Sequence, residues 1–181
     1  LRQGMQMVFQ DPSACLNPKM RVGEAIADPL LVHRLSNRLK ARERARELLT
    51  QVGLNPPEHY QNRLPNELSG GEQQRVAIAR ALALNPKILI CDESVSMLDA
   101  DIQSEVLDLL SSLQQRFGLA ILFITHDLSI ATGFCNRVIV LDQGEIVEEA
   151  SGGKLFNAPK TLVTRKLVNA CPRLPLADSI L

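Results

Sequence analysis

The chain has no excess of charge of either sign: Lys and Arg number 20, Asp and Glu number 20, and the formal net charge is zero. That balance removes the overall basic footprint of a nucleic-acid binder, leaving only local patches open. Long apolar runs are also absent. The longest, around Ile88–Cys91 and Leu119–Ile124, are the size of strands, far short of the roughly 18 to 20 residues of a membrane span. Cys15, Cys91, Cys135 and Cys171 are scattered, with no C-x-x-C pair. This argues against a zinc site or a disulfide framework and for reduced thiols in a cytoplasmic protein. No repeat or low-complexity tract stands out. Residues 1–11 lack the plan of a signal peptide and an initiating Met, so a truncated start is the expectation.

What is present is enough for one domain, or one domain with a subdomain: 181 residues, 45% of them hydrophobic and 22% charged. Short apolar runs alternate with helical patterns, the mark of an α/β protein with a largely parallel sheet. Met5–Phe9 reads as a strand. Ala45, Leu48, Leu49 and Val52 fall on one face of a helix over Ala41–Val52, which Asn55-Pro56-Pro57 should end. Ile88–Cys91 reads as a strand buried on both faces. Ile102, Val106, Leu109, Leu110, Leu113 and Phe117 form another helical stripe, closed by Gly118. Ala120–Ile124 and Arg137–Leu141 read as further buried strands. Asp142-Gln143-Gly144 reads as a hairpin turn into Glu145–Glu148, and Pro172–Pro175 as part of a tail.

Two segments carry chemistry. In Leu68-Ser69-Gly70-Gly71-Glu72-Gln73-Gln74-Arg75 the S-x-x-E spacing is that of a capping box, with Ser69 as the cap. Two glycines leave backbone N–H groups unobstructed at the positive end of the helix, which suits an anionic phosphate. Alone, S-G-G more often marks an ordinary capped helix. In the second segment, Lys87–Glu93, a buried strand delivers Asp92 and Glu93 at its C-terminal end, where α/β proteins bind ligands. Strand alternation would turn the two acids to opposite sides, one toward Mg²⁺ and one toward an attacking water. A lone Asp-Glu pair is more often a solvated strand end.

Taken together the segments resemble the ATP-binding subunits of ABC transporters. Leu68–Arg75 resembles the family's signature sequence, and Asp92-Glu93 its Walker B acids. Val8-Phe9-Gln10-Asp11-Pro12 resembles the Q-loop, Ser96-Met97-Leu98-Asp99 the D-loop, and Ile124-Thr125-His126-Asp127 the switch segment. Met97 replaces a smaller Ala, a change expected to be tolerated. Gln10 and Ser69 lie 59 positions apart, too close for the coiled-coil arms of the SMC and DNA-repair branch. Val22–Leu30, Cys91–Ser96 and the stretches Leu155–Pro159 and Thr161–Ala170 look like dipeptide and oligopeptide importers, the last two less closely.

The resemblance implies a partial P-loop NTPase (RecA-like) core at residues 1–12 and 84–150. It also implies an inserted helical subdomain with the signature at 13–83 and a C-terminal extension at 151–181. No G-x-x-x-x-G-K-[ST] loop is present. In the family that loop and an adenine-stacking aromatic precede the Q-loop, so truncation is the expectation, with an exposed sheet edge as its consequence. The implied cofactors are ATP and Mg²⁺. Glu93, His126 and Gln10 would be catalytic, with Asp92 and Gln10 at the metal. Ser69, Gly70, Gly71, Glu72, Gln73 and Asp99 would serve nucleotide across an ATPase dimer. The implied partners are a second ATPase subunit, two transmembrane permease subunits and, indirectly, an extracytoplasmic solute-binding protein, with no nucleic acid. The implied place is the cytoplasmic face of the membrane, and the work import of peptides or similar small solutes. Two other readings stay open: a remnant or half of a split gene supplying only the signature helix in trans, and a non-transport ABC ATPase.

Overall fold

The computed structural model describes residues 3–171, so the expected tail at Pro172–Pro175 lies outside the described residues. The chain forms two compact units, Leu1–Ile124 and Thr125–Leu181.

In the first unit β1 (Met5–Val8) leads to a 3₁₀ turn (Pro12–Ala14) and three helices: α1 (Val22–Val32), α2 (Arg38–Gln51) and α3 (Pro57–Gln61). Then come α4 (Gly70–Leu82), β2 (Ile88–Asp92), α5 (Ala100–Phe117) and β3 (Ala120–Ile124). The strands form a parallel sheet in the order β1-β2-β3, with Val8 beside Cys91 and Cys91 beside Phe123. α2 begins at Arg38, three residues before its predicted start, because the Asn37 side chain accepts the Lys40 N–H at 3.0 Å. It ends before the prolines. Gly53 takes φ +80°, its N–H donating to Thr50 and that of Leu54 to Leu49, so a left-handed glycine stops the helix. Gly118, at φ +62°, closes α5 as the pattern predicted.

Burial of the strands departs from expectation. Val8, Leu89 and Cys91 are sealed on one face of the sheet, but Met5, Ile88, Leu122 and Ile124 are exposed. These four share the other face by register and strand alternation, and that face is open in the described residues. β2 is therefore buried on one face only, and β3, an edge strand, is not buried as predicted.

In the second unit α6 (Leu128–Phe134) precedes β4 (Val138–Asp142) and β5 (Glu145–Ala150), and α7 (Gly152–Asn157) and α8 (Leu162–Ala170) follow. β4 pairs with β5 as an antiparallel hairpin in a separate two-stranded sheet, and in β4 only alternate residues, Val138 and Val140, are buried. The predicted turn is present: Gln143 (φ +48°) and Gly144 (φ +86°) are both left-handed, as a two-residue hairpin loop requires. Leu128, Val138, Val140 and Leu155 form the core, with Val163, Leu167 and Val168 of α8 packed against it.

One carboxylate ties α8 to the hairpin. Glu148 is 7% exposed and accepts the Lys160 and Thr161 N–H groups at 3.0 Å and the Thr161 hydroxyl at 3.2 Å. These donors, the Thr161 N–H foremost, hold its pKa down from 4.5 to about 2. A depressed carboxyl contributes its full stabilisation above the ordinary value and loses it as pH falls toward the folded one. Glu148→Gln is accordingly expected to be less stable than wild type at neutral pH. The difference should close between about pH 4.5 and 2, a window that acid titration of the circular dichroism signal resolves. A pH-independent difference would assign Glu148 only a packing role.

Candidate functional site

The C-terminal ends of the parallel strands bring the first group of residues together. Gln10 stands exposed two residues beyond β1, half-buried Asp92 ends the central strand β2, and Glu93 follows it. The next residue after Gln10 is fastened: Asp11 accepts the Ser13 N–H at 2.8 Å and the Ser13 hydroxyl at 2.7 Å, which lowers its carboxyl pKa. Glu93 does not continue the strand, so alternation is not what separates it from Asp92. Its φ is +46°, a left-handed conformation that costs about 1–3 kcal/mol in a residue with a side chain. The turn is held from both sides: the Glu93 N–H donates to Ile124 O at 2.9 Å, and Glu93 O accepts the Ser96 N–H at 3.1 Å and the Ser96 hydroxyl at 2.9 Å.

The segment after Glu93 leads into α5. Gln103 Nε2 reaches Val95 O at 3.2 Å, and Asp99 caps α5 by accepting the Ile102 N–H at 3.0 Å. Met97 is 70% exposed, so its extra bulk meets solvent. Ser94 is 2% exposed and its hydroxyl has no hydrogen-bond partner among the described residues. A buried unsatisfied hydroxyl is destabilising. Ser94→Ala is expected to leave stability unchanged or raise it by about 1 kcal/mol, read as the urea midpoint at constant slope. A clear loss of stability would mean the hydroxyl is bonded in solution.

The signature helix is built as its spacing predicts. Ser69 N–H donates to Glu72 Oε2 at 2.8 Å and Glu72 N–H to Ser69 Oγ at 3.3 Å, closing a capping box. The Ser69 N–H is the main cause lowering the Glu72 pKa. Gln73 Nε2 donates to Leu68 O at 3.1 Å, so Glu72 and Gln73 both hold the loop in shape. Ser69 and Gly70 are exposed, whereas Gly71 is buried. A Cβ on Gly71 would lie 2.6 Å from Ile102 Cγ2, and one on Gly70 would lie 3.8 Å from Leu98. Ile102 therefore meets both the signature glycine and, through its N–H, the Asp99 cap.

Arg75, the last residue of the octet, fastens the arrangement. Its Nη2 lies 2.8 Å from Glu105 Oε2 on α5, and its Nη1 donates to Val52 O at 3.0 Å, beside Gly53. The sequence placed Arg75 in the signature octet and Ile102 in the α5 stripe, but nothing in it showed that Arg75, Ile102 and Glu105 join the two helices. A partner 30 positions away leaves no local signal.

His126 belongs to the second unit and is exposed. It sits in a fastened turn: Asp127 N–H donates to Thr125 Oγ1 at 3.0 Å, and Asp127 caps α6 by accepting the Ser129 N–H at 2.8 Å. Among the described residues no cluster of three or more His, Cys, Asp or Glu could cage a metal. Asp92 and Gln10 are oxygen donors of the kind that would hold Mg²⁺, a carboxylate and an amide beside a bound phosphate.

The sequence profile of the ABC transporters matches residues 1–96. The chain belongs to the ABC transporter family. Solved ABC structures share its fold. One is cbiO1 of Clostridium perfringens, part of the ABC transporter complex cbiONQ (TM-score 0.78, 30% identity, 95% of this chain and 66% of that one). Another is a dimeric ATP-binding cassette in a post-hydrolysis state bound to ADP and Pi (TM-score 0.69, 36% identity, 81% and 62%). The chain is 48% identical to the glutathione import ATP-binding protein GsiA of Pectobacterium atrosepticum over 95% of its own length and 27% of that protein's. It is 45% identical to the oligopeptide transport ATP-binding protein OppF of Escherichia coli over 95% of its own length and 51% of the relative's. It thus spans about half or less of the length of these relatives. No helix among the described residues is long and apolar enough to cross a membrane.

Proposed function

We propose that this ABC family member is the ATP-hydrolysing part of an importer of peptides or similar small solutes. The observation that carries this is the gathering of Gln10, Asp92 and a strained Glu93 at the C-terminal edge of one parallel sheet. The import functions named for GsiA and OppF support it. Residues 1–12 and 84–150 are the partial ATPase core, 13–83 the helical part, and 151–181 an extension. Gln10 and Asp92 orient a Mg²⁺-bound nucleotide, Glu93 accepts a proton from the attacking water, and His126 contacts the γ-phosphate. Mg²⁺, when bound, neutralises charge on the phosphates. Ser69, Gly70 and Gly71 present the positive end of α4 to nucleotide held by a second ATPase subunit, with Glu72, Gln73 and Asp99 shaping that surface. The two subunits work at the cytoplasmic face of the membrane on two permease subunits, fed by an extracytoplasmic binding protein.

The phosphate-binding loop is not among the 181 residues, so the chain by itself is expected to bind ATP more weakly than micromolar. The test compares phosphate release by the native assembly from its source with release by the 181-residue chain. Turnover by the assembly and none by the chain supports the reading. Micromolar ATP affinity of the isolated chain overturns the part assigned to the missing loop. A second reading rests on the signature helix with its closed Ser69–Glu72 capping box: the chain supplies that helix in trans to another polypeptide's nucleotide. In that case Gly71 substitutions, but not Glu93 substitutions, alter turnover.

A further inference from the structure

The signature turn carries more negative charge than a phosphate-facing surface suits. Glu72 stands in the first turn of α4, where the helix end supplies only about half a positive charge. Its carboxylate accepts the Ser69 N–H at 2.8 Å, and Ser69 and Gly70 stay exposed beside it. That bond, first among the causes, lowers the Glu72 pKa, so the carboxyl is charged at neutral pH. Between Asn62 and Gln74 the chain holds two acids, Glu67 and Glu72, and one cation, Arg63. On either side of that stretch Glu58 is exposed on α3, and Arg75 is paired with Glu105. Asp99, next to the Leu98 that lies near Gly70, adds a further carboxylate.

Arg63 is placed to answer that charge. Its N–H donates to Tyr60 O at 3.0 Å and its carbonyl accepts the Val22 N–H at 2.9 Å, which fastens its backbone to both α3 and α1. The guanidinium lies over the Tyr60 ring, 5.4 Å from the centroid, and this stacking limits where the side chain can go. After the Ser69 bonds, Tyr60 and Arg63 also act on the Glu72 carboxylate, Tyr60 as a donor and Arg63 as a charge. Arg63 is exposed, so its charge also reaches the surface that Ser69 and Gly70 present. One positive charge offsets that of Glu72, and the end of α4 keeps its attraction for an anion.

We propose, on the reading that the signature glycines face nucleotide held by a second ATPase subunit, that Arg63 neutralises Glu72 so that the turn accepts phosphate. Arg63 is a positioning residue that works through the charge of Glu72. Its effect falls on nucleotide binding and not on the chemical step. Glutamine can close the same capping box without the charge, so the fold of the turn does not require Arg63.

The experiment measures KM and kcat for ATP by phosphate release from the intact assembly carrying substitutions in this chain. Arg63→Gln should raise KM about five- to tenfold with kcat changed less than about twofold. The rise should shrink as salt goes from about 0.1 to 0.5 M. Adding Glu72→Gln to Arg63→Gln should return KM to within about twofold of wild type, because the box is kept and the charge is gone. Arg63→Lys keeps the charge and should stay within about threefold. Gly70→Asp tests the underlying reading by itself: the position is exposed, an added Cβ lies 3.8 Å from Leu98, and acids suit the first turn of a helix. An unchanged KM in Gly70→Asp overturns the reading that nucleotide faces the turn, and the role of Arg63 with it. A raised KM there, with Arg63→Gln unchanged, overturns the role of Arg63 alone. So does a raised KM in Arg63→Gln that Glu72→Gln fails to restore, which would make Arg63 a direct contact or a purely structural residue.

Discussion

Replacing Glu93 by Gln is expected to cut phosphate release by the native assembly about 1,000-fold, with KM for ATP changed by less than about threefold. The substitution keeps the size of the side chain, and the left-handed turn is held by backbone bonds to Ile124 and Ser96 that it does not touch. What it removes, in the mechanism proposed above, is the charge that would take a proton from the attacking water. Nucleotide binding rests on other groups, so kcat should fall and KM should not. An unchanged melting temperature shows that the loss is chemical. A reduction smaller than tenfold would remove Glu93 from the role of base and leave Asp92 or His126 as the group to examine.

Gly71→Ala is expected to destabilise the chain by about 2 kcal/mol in urea unfolding, although alanine is the better helix former by about 0.8–1 kcal/mol. The sign is set by tertiary packing. The added Cβ would lie 2.6 Å from Ile102 Cγ2, on a β-branched side chain with little freedom to turn away. Shortening the obstacle should restore the ordinary preference. In the Ile102→Ala background, Gly71→Ala should be neutral or stabilising, a coupling of more than about 1 kcal/mol between the two sites. Ile102→Ala leaves the Asp99 cap in place, because the cap uses the Ile102 N–H. Should Gly71→Ala prove stabilising in the wild-type background, α4 and α5 part at no cost and the close approach carries no function.

Local signals were read well where the physics is local. The capping box at Ser69 and Glu72, the left-handed Gly118, the Asp142–Gly144 turn and the order of helix and strand all depend on residues within a few positions of one another. The end of α2 was placed within one residue, but what stops the helix is Gly53 and not the more distant Asn55-Pro56-Pro57. The strands were misjudged for another reason: an apolar run shows what a strand can bury, not what covers it. Ile88, Leu122 and Ile124 are as apolar as a buried strand needs, yet their face is open in the described residues. Likewise the strand after Arg137 pairs with its hairpin neighbour as the turn predicted, but only alternate residues of it are buried.

The sequence by itself determined the α/β class, the family and the candidate residues Gln10, Ser69–Gln73, Asp92, Glu93, Asp99 and His126, because residue type and short spacing carry that information. Only the tertiary structure decided that Glu93 leaves its strand in a left-handed turn, that Gly71 is glycine because Ile102 lies against it, and that Arg75 joins α4 to Glu105 and Val52. Each of these depends on what packs against a residue from a distant part of the chain, and no local pattern encodes that neighbour.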